Sequence, residues 1–170
     1  KIQSAKERIL EINPYCQVNT FETWLDKNNA LQIVKDYDVI CDCTDNFPSR
    51  YLINDACLIT GKPYVYGSVA KFEGQATVFN LDETSPNYRD LVPEPPPAEL
   101  IPSCSEAGVI GVLPGLIGLI QATEAIKIIT RIGKTLSGRL LIFDALSMSF
   151  KELKLEKSAT WHEINHLTDY

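Results

Sequence analysis

The sequence is poor in methionine and histidine, with one and two residues respectively among 170, and has no block of lysine or arginine. Sixteen basic against 22 acidic residues leave a formal net charge of −6. A nucleic-acid groove or an anionic membrane surface needs concentrated positive charge, so neither is expected as a partner. No continuous apolar run reaches the roughly 20 residues of a membrane-spanning helix. The most apolar stretch, Val109 to Ile120, is interrupted by Pro114, Gly111, Gly115 and Gly118. A G-x-x-x-x-G-K-[ST] phosphate loop is missing, and no glycine-rich turn follows an early strand. Cys16, Cys41, Cys43, Cys57 and Cys104 are odd in number and irregular in spacing, which argues against a disulfide framework and for free thiols in a reducing, cytoplasmic compartment. Methionine is also absent from the first position, and Lys1 already lies in a helical pattern, so an excerpted or processed chain is expected.

What is present is globular. Hydrophobic residues make up 45% and charged residues 22%, and a chain of this length buries roughly 70% of its unfolded surface, enough for one core. Ile2, Ala5, Ile9 and Ile12 recur at helical spacing before Asn13-Pro14 stops them. Cys16 to Phe21 reads as a short strand, Asn28 to Lys35 as a helix and Val39 to Cys43 as a buried strand. Pro48 and Gly61 then bracket a helix, and Tyr64 to Val69 is strand-like again. This alternation predicts an α/β fold with a Rossmann-like, doubly wound, mostly parallel sheet. After Ala70 the pattern becomes antiparallel: a turn at Lys71 to Gly74, then alternation from Gln75 to Asn80. A proline-rich loop runs from Asp82 to Pro102, and a long helix, apolar on most sides, lies within Gly108 to Gly133. Such a helix is either buried or half of a subunit interface. Leu140 to Phe143 and Phe150 to Leu155 form a closing antiparallel pair, and residues 157–170 read as a polar tail or linker after a main unit of residues 1–156.

Three groups of residues could carry chemistry. Cys43-Thr44-Asp45-Asn46 follows a strand at the edge where α/β sheets collect ligands, and a following helix points its N-terminal amides there. Asp45 could hold Mg²⁺ beside a phosphate, while spacing alone favours the simpler reading that Asp45 or Asn46 caps the next helix. Cys104 sits between the long loop and the long helix, where a thiol is either a nucleophile favoured by the helix dipole or a small filler. His162-Glu163-Ile164-Asn165-His166 matches the H-E-x-x-H zinc spacing but has no third ligand and lies in the polar tail, which argues against a protease site. A lone Lys1 could contact phosphate, although terminal lysines are mostly solvated.

Several longer motifs occur in one order. They are Glu11-Ile12-Asn13-Pro14, Asp42-Cys43-Thr44-Asp45-Asn46-Phe47-Pro48-Ser49-Arg50-Tyr51-Leu52-Ile53-Asn54-Asp55-Ala56-Cys57, Glu73-Gly74-Gln75, Ser103-Cys104-Ser105-Glu106-Ala107-Gly108-Val109, Gln121-Ala122-Thr123-Glu124-Ala125-Ile126-Lys127 and Phe143-Asp144-Ala145. Together they resemble the ubiquitin-activating-type adenylyltransferases, in the MoeB/ThiF/HesA branch and nearest its molybdopterin-synthase adenylyltransferases, from Lys1 to about Leu155. The resemblance implies ATP and Mg²⁺ as cofactors. It also implies a ubiquitin-like sulfur-carrier protein as substrate, whose C-terminal glycine is adenylylated before sulfur is loaded as a thiocarboxylate. It further implies a homodimer and a rhodanese-type sulfurtransferase domain or partner. By the same resemblance, Lys1 is the phosphate-contacting lysine, Asp45 the Mg²⁺ and ATP aspartate, Asn46 its neighbour at the nucleotide, and Cys104 the loop cysteine that in some members links to the carrier.

Two departures from that family matter. Many members bind structural zinc through a Cys-x-x-Cys pair around Tyr-Arg and a second pair near the C-terminus, whereas this chain reads Asn87-Tyr88-Arg89-Asp90 and has no cysteine in its tail, so no such zinc is expected. The glycine-rich nucleotide-binding start of the family would precede Lys1, and the stretch from Lys1 onward is expected to bind ATP poorly by itself. A non-catalytic homologue that only docks a carrier or partner subunit is the competing reading.

Overall fold

The computed structural model describes residues 1–95, 108–159 and 164–170. Among them, five strands form one sheet in the order β1-β2-β3-β4-β5. β1 (Ile40–Asp42) pairs parallel with β2 (Tyr64–Ala70). β3 (Glu73–Phe79), β4 (Arg139–Asp144) and β5 (Ser149–Lys154) follow, each antiparallel to the strand before it. The α/β class holds, but within this chain the sheet is mixed, with one parallel pair against three antiparallel ones. Short turns make two of the antiparallel pairs: Ala70 faces Glu73 across Lys71-Phe72, and Asp144 faces Ser149 across residues 145–148, connections that leave the chain no room for a crossover helix.

Helix α1 (Ile2–Ile12) buries none of its residues, and Asn13 ends it in an extended conformation ahead of Pro14. Residues 16–22 form no strand; they run as irregular chain between the exposed side chains of Tyr15 and Trp24, without a neighbouring strand to complete their hydrogen bonds. Helix α2 (Ala30–Val34) is shorter than its pattern and buries Ala30 and Val34. β1, expected as a buried strand, buries only Asp42, because it pairs with β2 alone.

Helix α3 (Phe47–Thr60) lies on one face of the sheet. Pro48 opens it and Gly61, at φ +63°, closes it in the left-handed conformation glycine adopts without strain. Its buried side joins Tyr64, Tyr66, Phe79 and Tyr88 in an aromatic cluster whose ring centroids lie 5.1 to 6.4 Å apart. Each such pair contributes about 0.5–1.5 kcal/mol beyond its buried area. The short helix α4 (Tyr88–Leu91) carries Tyr88 into this cluster.

Helix α5 (Leu113–Thr130) covers the opposite face and starts later than the sequence pattern predicts. Leu113, Ile117, Gln121 and Glu124 are its buried residues, while Leu119, Ile126 and Ile129 remain exposed. The long helix is therefore buried along one stripe only. By length and composition it could cross a membrane, but the stripe it packs on the sheet contains a glutamine and a glutamate. Glu124 accepts from the Leu136 amide at 2.7 Å and pairs with Lys127, holding the turn that leads into β4.

Two glycines let α5 approach this closely. A Cβ at Gly74 would meet Ile117 at 2.5 Å, and one at Gly67 would meet the Gln121 side chain at 2.4 Å. Gln121 cannot swing aside freely, because its amide donates to the Asp42 and Val65 carbonyls at 2.6 and 3.3 Å. Gly67→Ala should therefore cost about 1–3 kcal/mol in urea unfolding, and most of that penalty should vanish in a Gln121→Ala background. Additive penalties would show that the two positions do not compete for space.

Candidate active site

The site grows from the carboxyl end of β1. Asp42 is buried, and its Oδ1 accepts from the Thr44 amide at 2.7 Å while Oδ2 accepts from the Tyr64 hydroxyl at 2.6 Å. Burial and the neighbouring Asp42 charge push the Tyr64 phenol well above its ordinary range, so it stays protonated and donating. With both carboxylate oxygens committed, the chain leaves β1 with Thr44 half-buried and Asp45 exposed. Gln121 fastens the same strand end from the α5 side through the Asp42 carbonyl.

Asn46 caps α3: its side-chain oxygen accepts from the Ser49 amide at 2.9 Å. Asp45 is thereby spared the capping role. Its carboxylate is exposed, and the contact recorded for it is the Asn46 amide at 3.4 Å. Loss of the cap in Asn46→Ala should cost about 1 kcal/mol in denaturant unfolding, whereas Asn46→Ser should retain most of the stability.

Beside Asp45 lies Arg50, on the first turns of α3 and only 6% exposed. Its Nη2 donates to the Thr44 carbonyl at 3.1 Å, and its guanidinium lies 5.4 Å from the Tyr66 ring centroid and 5.9 Å from that of Phe47. Asp45, Arg50, the β2 segment Gly67 to Val69, and Pro114, Ile117 and Gly118 of α5 line a cleft of about 260 Å³. Cys43, an exposed residue, also lines it, but desolvation of the thiol on the cleft side and the Asp42 charge raise it above the ordinary range and keep it protonated. One carboxylate and one guanidinium thus share a small opening at the strand ends.

The remaining sequence candidates are distributed differently. Lys1 is exposed, and among the described residues no hydrogen bond or ion pair joins its side chain to Asp45 or Asn46. Cys104, His162 and Glu163 lie outside the described residues; His166 is exposed. Of the other cysteines, Cys57 is buried, whereas Cys16, Cys41 and Cys43 are exposed.

Asn87 and Asp90, the positions that carry the first zinc-binding pair in many members of the resembled family, cap α4 instead. Asp90 accepts from the Asn87 amide at 2.7 Å, and Asn87 accepts from the Arg89 amide at 2.9 Å. Asp90 also accepts from the Ser158 amide at 2.8 Å, so a hydrogen bond ties the tail to α4 here. Neither side chain fits a thiolate zinc site, and among the described residues no group of three or more His, Cys, Asp or Glu could hold a metal ion.

Arg50 and Gln121 were legible in the sequence only as motif members. A charged residue inside the apolar pattern of α3, and a glutamine inside an almost wholly apolar helix, were the available signals. Neither shows which cavity it serves.

Comparison with known proteins places these features in context. The model of the ThiF family matches residues 1–162. A Mycobacterium tuberculosis protein named "Probable adenylyltransferase/sulfurtransferase MoeZ" is 49% identical over 173 residues, covering 100% of this chain and 44% of that protein. The "Sulfur carrier protein adenylyltransferase" of Thermus thermophilus is 45% identical over 158 residues, covering 91% of this chain and 58% of that protein. The chain thus spans roughly half the length of these relatives. Among solved structures, Escherichia coli MccB with ATP superposes with a TM-score of 0.80 at 14% identity, over 97% of this chain and 51% of that one, a likeness of fold.

Proposed function

The chain belongs to the ThiF family, and on that premise we infer that the protein adenylylates the C-terminal glycine carboxylate of a ubiquitin-like sulfur-carrier protein with ATP. In this reaction a carboxylate oxygen of the carrier attacks the α-phosphorus, the bond to the β-phosphate oxygen breaks, and pyrophosphate leaves with its electron pair. The observation that carries this reading is Asp45, an exposed carboxylate at the carboxyl end of β1, released from capping by Asn46 and placed beside a buried arginine in one cleft.

Asp45 suits a hard cation that is otherwise bound by phosphate oxygens, which is how Mg²⁺ is usually held. When bound with ATP, Mg²⁺ neutralises charge on the phosphates and so eases attack by an anion. Asn46 and Lys1 are assigned to the nucleotide. Cys104 is assigned a covalent link to the carrier, a role that varies across the family. The names of these relatives support adenylyl transfer and, for MoeZ, a sulfurtransferase activity that a rhodanese-type domain or partner would supply here. We further propose that the protein is cytoplasmic, from the free thiols of Cys16, Cys41, Cys43 and Cys57, and a homodimer, from the apolar residues Leu119, Ile126 and Ile129 that α5 leaves exposed.

The test is carrier-dependent exchange of labelled pyrophosphate into ATP by the full-length protein. Exchange that requires both the carrier and Mg²⁺ supports the reading. Carrier binding without exchange would establish the non-catalytic docking role instead.

A further inference from the structure

The cleft contains a cation whose hydrogen-bonding capacity is not used up. Arg50 is more than nine-tenths buried, yet its Nε has no hydrogen-bond partner, and its charge has no carboxylate within ion-pair distance among the described residues. The buried carboxylate whose charge acts on Arg50, that of Asp42, has already given both oxygens to Thr44 and Tyr64. Burying a guanidinium in this way costs free energy unless a partner arrives. The flanking rings of Tyr66 and Phe47 hold its plane in place, and with Nη2 on the Thr44 carbonyl its Nε–H is left without a partner.

The shape of the cleft indicates which anion completes it. At about 260 Å³ it falls below the roughly 300–1,000 Å³ of pockets that enclose small-molecule ligands, but it has room for the end of an extended chain of small residues. Val69, Pro114 and Ile117 supply apolar walls, and neither Gly67 nor Gly118 projects a side chain into it. Asp45 stands at the same opening, on the side assigned to the phosphates.

We propose that Arg50 binds the C-terminal carboxylate of the carrier tail and holds it against the α-phosphate, so that the two reacting anions meet between Arg50 and Asp45. This rests on the adenylylation reading and adds the residue that recognises the tail. Charge-assisted bonds from a planar guanidinium suit a carboxylate better than a neutral amide, which gives the proposal a readout separate from turnover.

The experiment compares two forms of the same carrier, one ending in a carboxylate and one in a carboxamide, for binding to the full-length protein. Wild type should prefer the carboxylate by about tenfold or more, and Arg50→Gln should abolish the preference while leaving ATP affinity measured without carrier unchanged. Arg50→Lys keeps the charge but loses the fork, and should reduce the preference at least about threefold. It decides the matter if Arg50→Gln fails to fold. A preference that survives in Arg50→Lys and Arg50→Gln alike overturns the proposal, as does a loss of ATP affinity in either variant, which would assign Arg50 to the nucleotide. Absence of exchange in the wild type, by contrast, would strike the adenylylation reading and leave the carboxylate preference measurable.

Discussion

Asp45→Ala should lower carrier-dependent ATP–pyrophosphate exchange by about 10²–10³-fold, the usual loss when one preorganised electrostatic group is removed from a reacting centre. Stability should hardly change. Asp45 is exposed and makes no close hydrogen bond, and surface substitutions of that kind stay within about 0.5 kcal/mol. Activity lost at constant unfolding midpoint separates Asp45 from Asn46, whose cap should register in stability. Asp45→Asn should behave like Asp45→Ala, because the amide keeps the shape but not the charge that a divalent cation and phosphates require. Exchange within a few-fold of wild type in both variants would sink the assignment and return Asp45 to the role of a solvated loop residue.

Asp55→Ala should cost about 3–5 kcal/mol, a large fraction of the roughly 5–15 kcal/mol by which a domain is stable. The Asp55 carboxylate is 1% exposed. It accepts from Arg89 Nε at 3.2 Å and Nη2 at 2.8 Å, from the Asn54 amide at 2.9 Å, and from the Tyr170 hydroxyl. Removing it strands a guanidinium that also lies 4.8 Å from the Tyr51 ring centroid. Because Arg89 retains some solvent contact, the lower end of the range is expected, and replacing both partners by apolar residues should recover much of the loss. Urea midpoints of the two single variants and the double variant measure this. Tyr170 stacks on Tyr51 at 5.9 Å, so Asp55→Ala should also speed amide exchange in residues 164–170. A cost below about 1 kcal/mol would show that Asp55 holds no more than a surface ion pair does.

Local signals were read well from the residues. Pro48 and Gly61 framed α3, Asn13-Pro14 ended α1, and the Lys71-Phe72 turn joined β2 to β3 as an antiparallel pair. Failures arose where a partner distant in sequence decides. Cys16 to Phe21 has strand-like composition but no strand beside it among the described residues, and a strand without a ladder leaves its amides unpaired. The turn after β1 could be read as cap or ligand; the Ser49 amide on Asn46 identifies the cap, and the nucleotide role of Asp45 stays a proposal that the exchange assay tests.

The order of motifs by itself determined the family resemblance, the α/β class and the candidate aspartate, because these depend on residues close together in the chain. Tertiary structure alone decided which polar groups are buried. Asp42, Asp55, Gln121 and Glu124 look solvent-facing by type, yet each pairs with a hydroxyl, amide, carbonyl or charge from a distant part of the chain. It also decided that Arg50, an ordinary helix residue by periodicity, ends in a cleft with an unpartnered nitrogen. Periodicity reports where apolar side chains face; the demands of buried hydrogen bonds become visible only when the strands and helices that carry both partners are packed together.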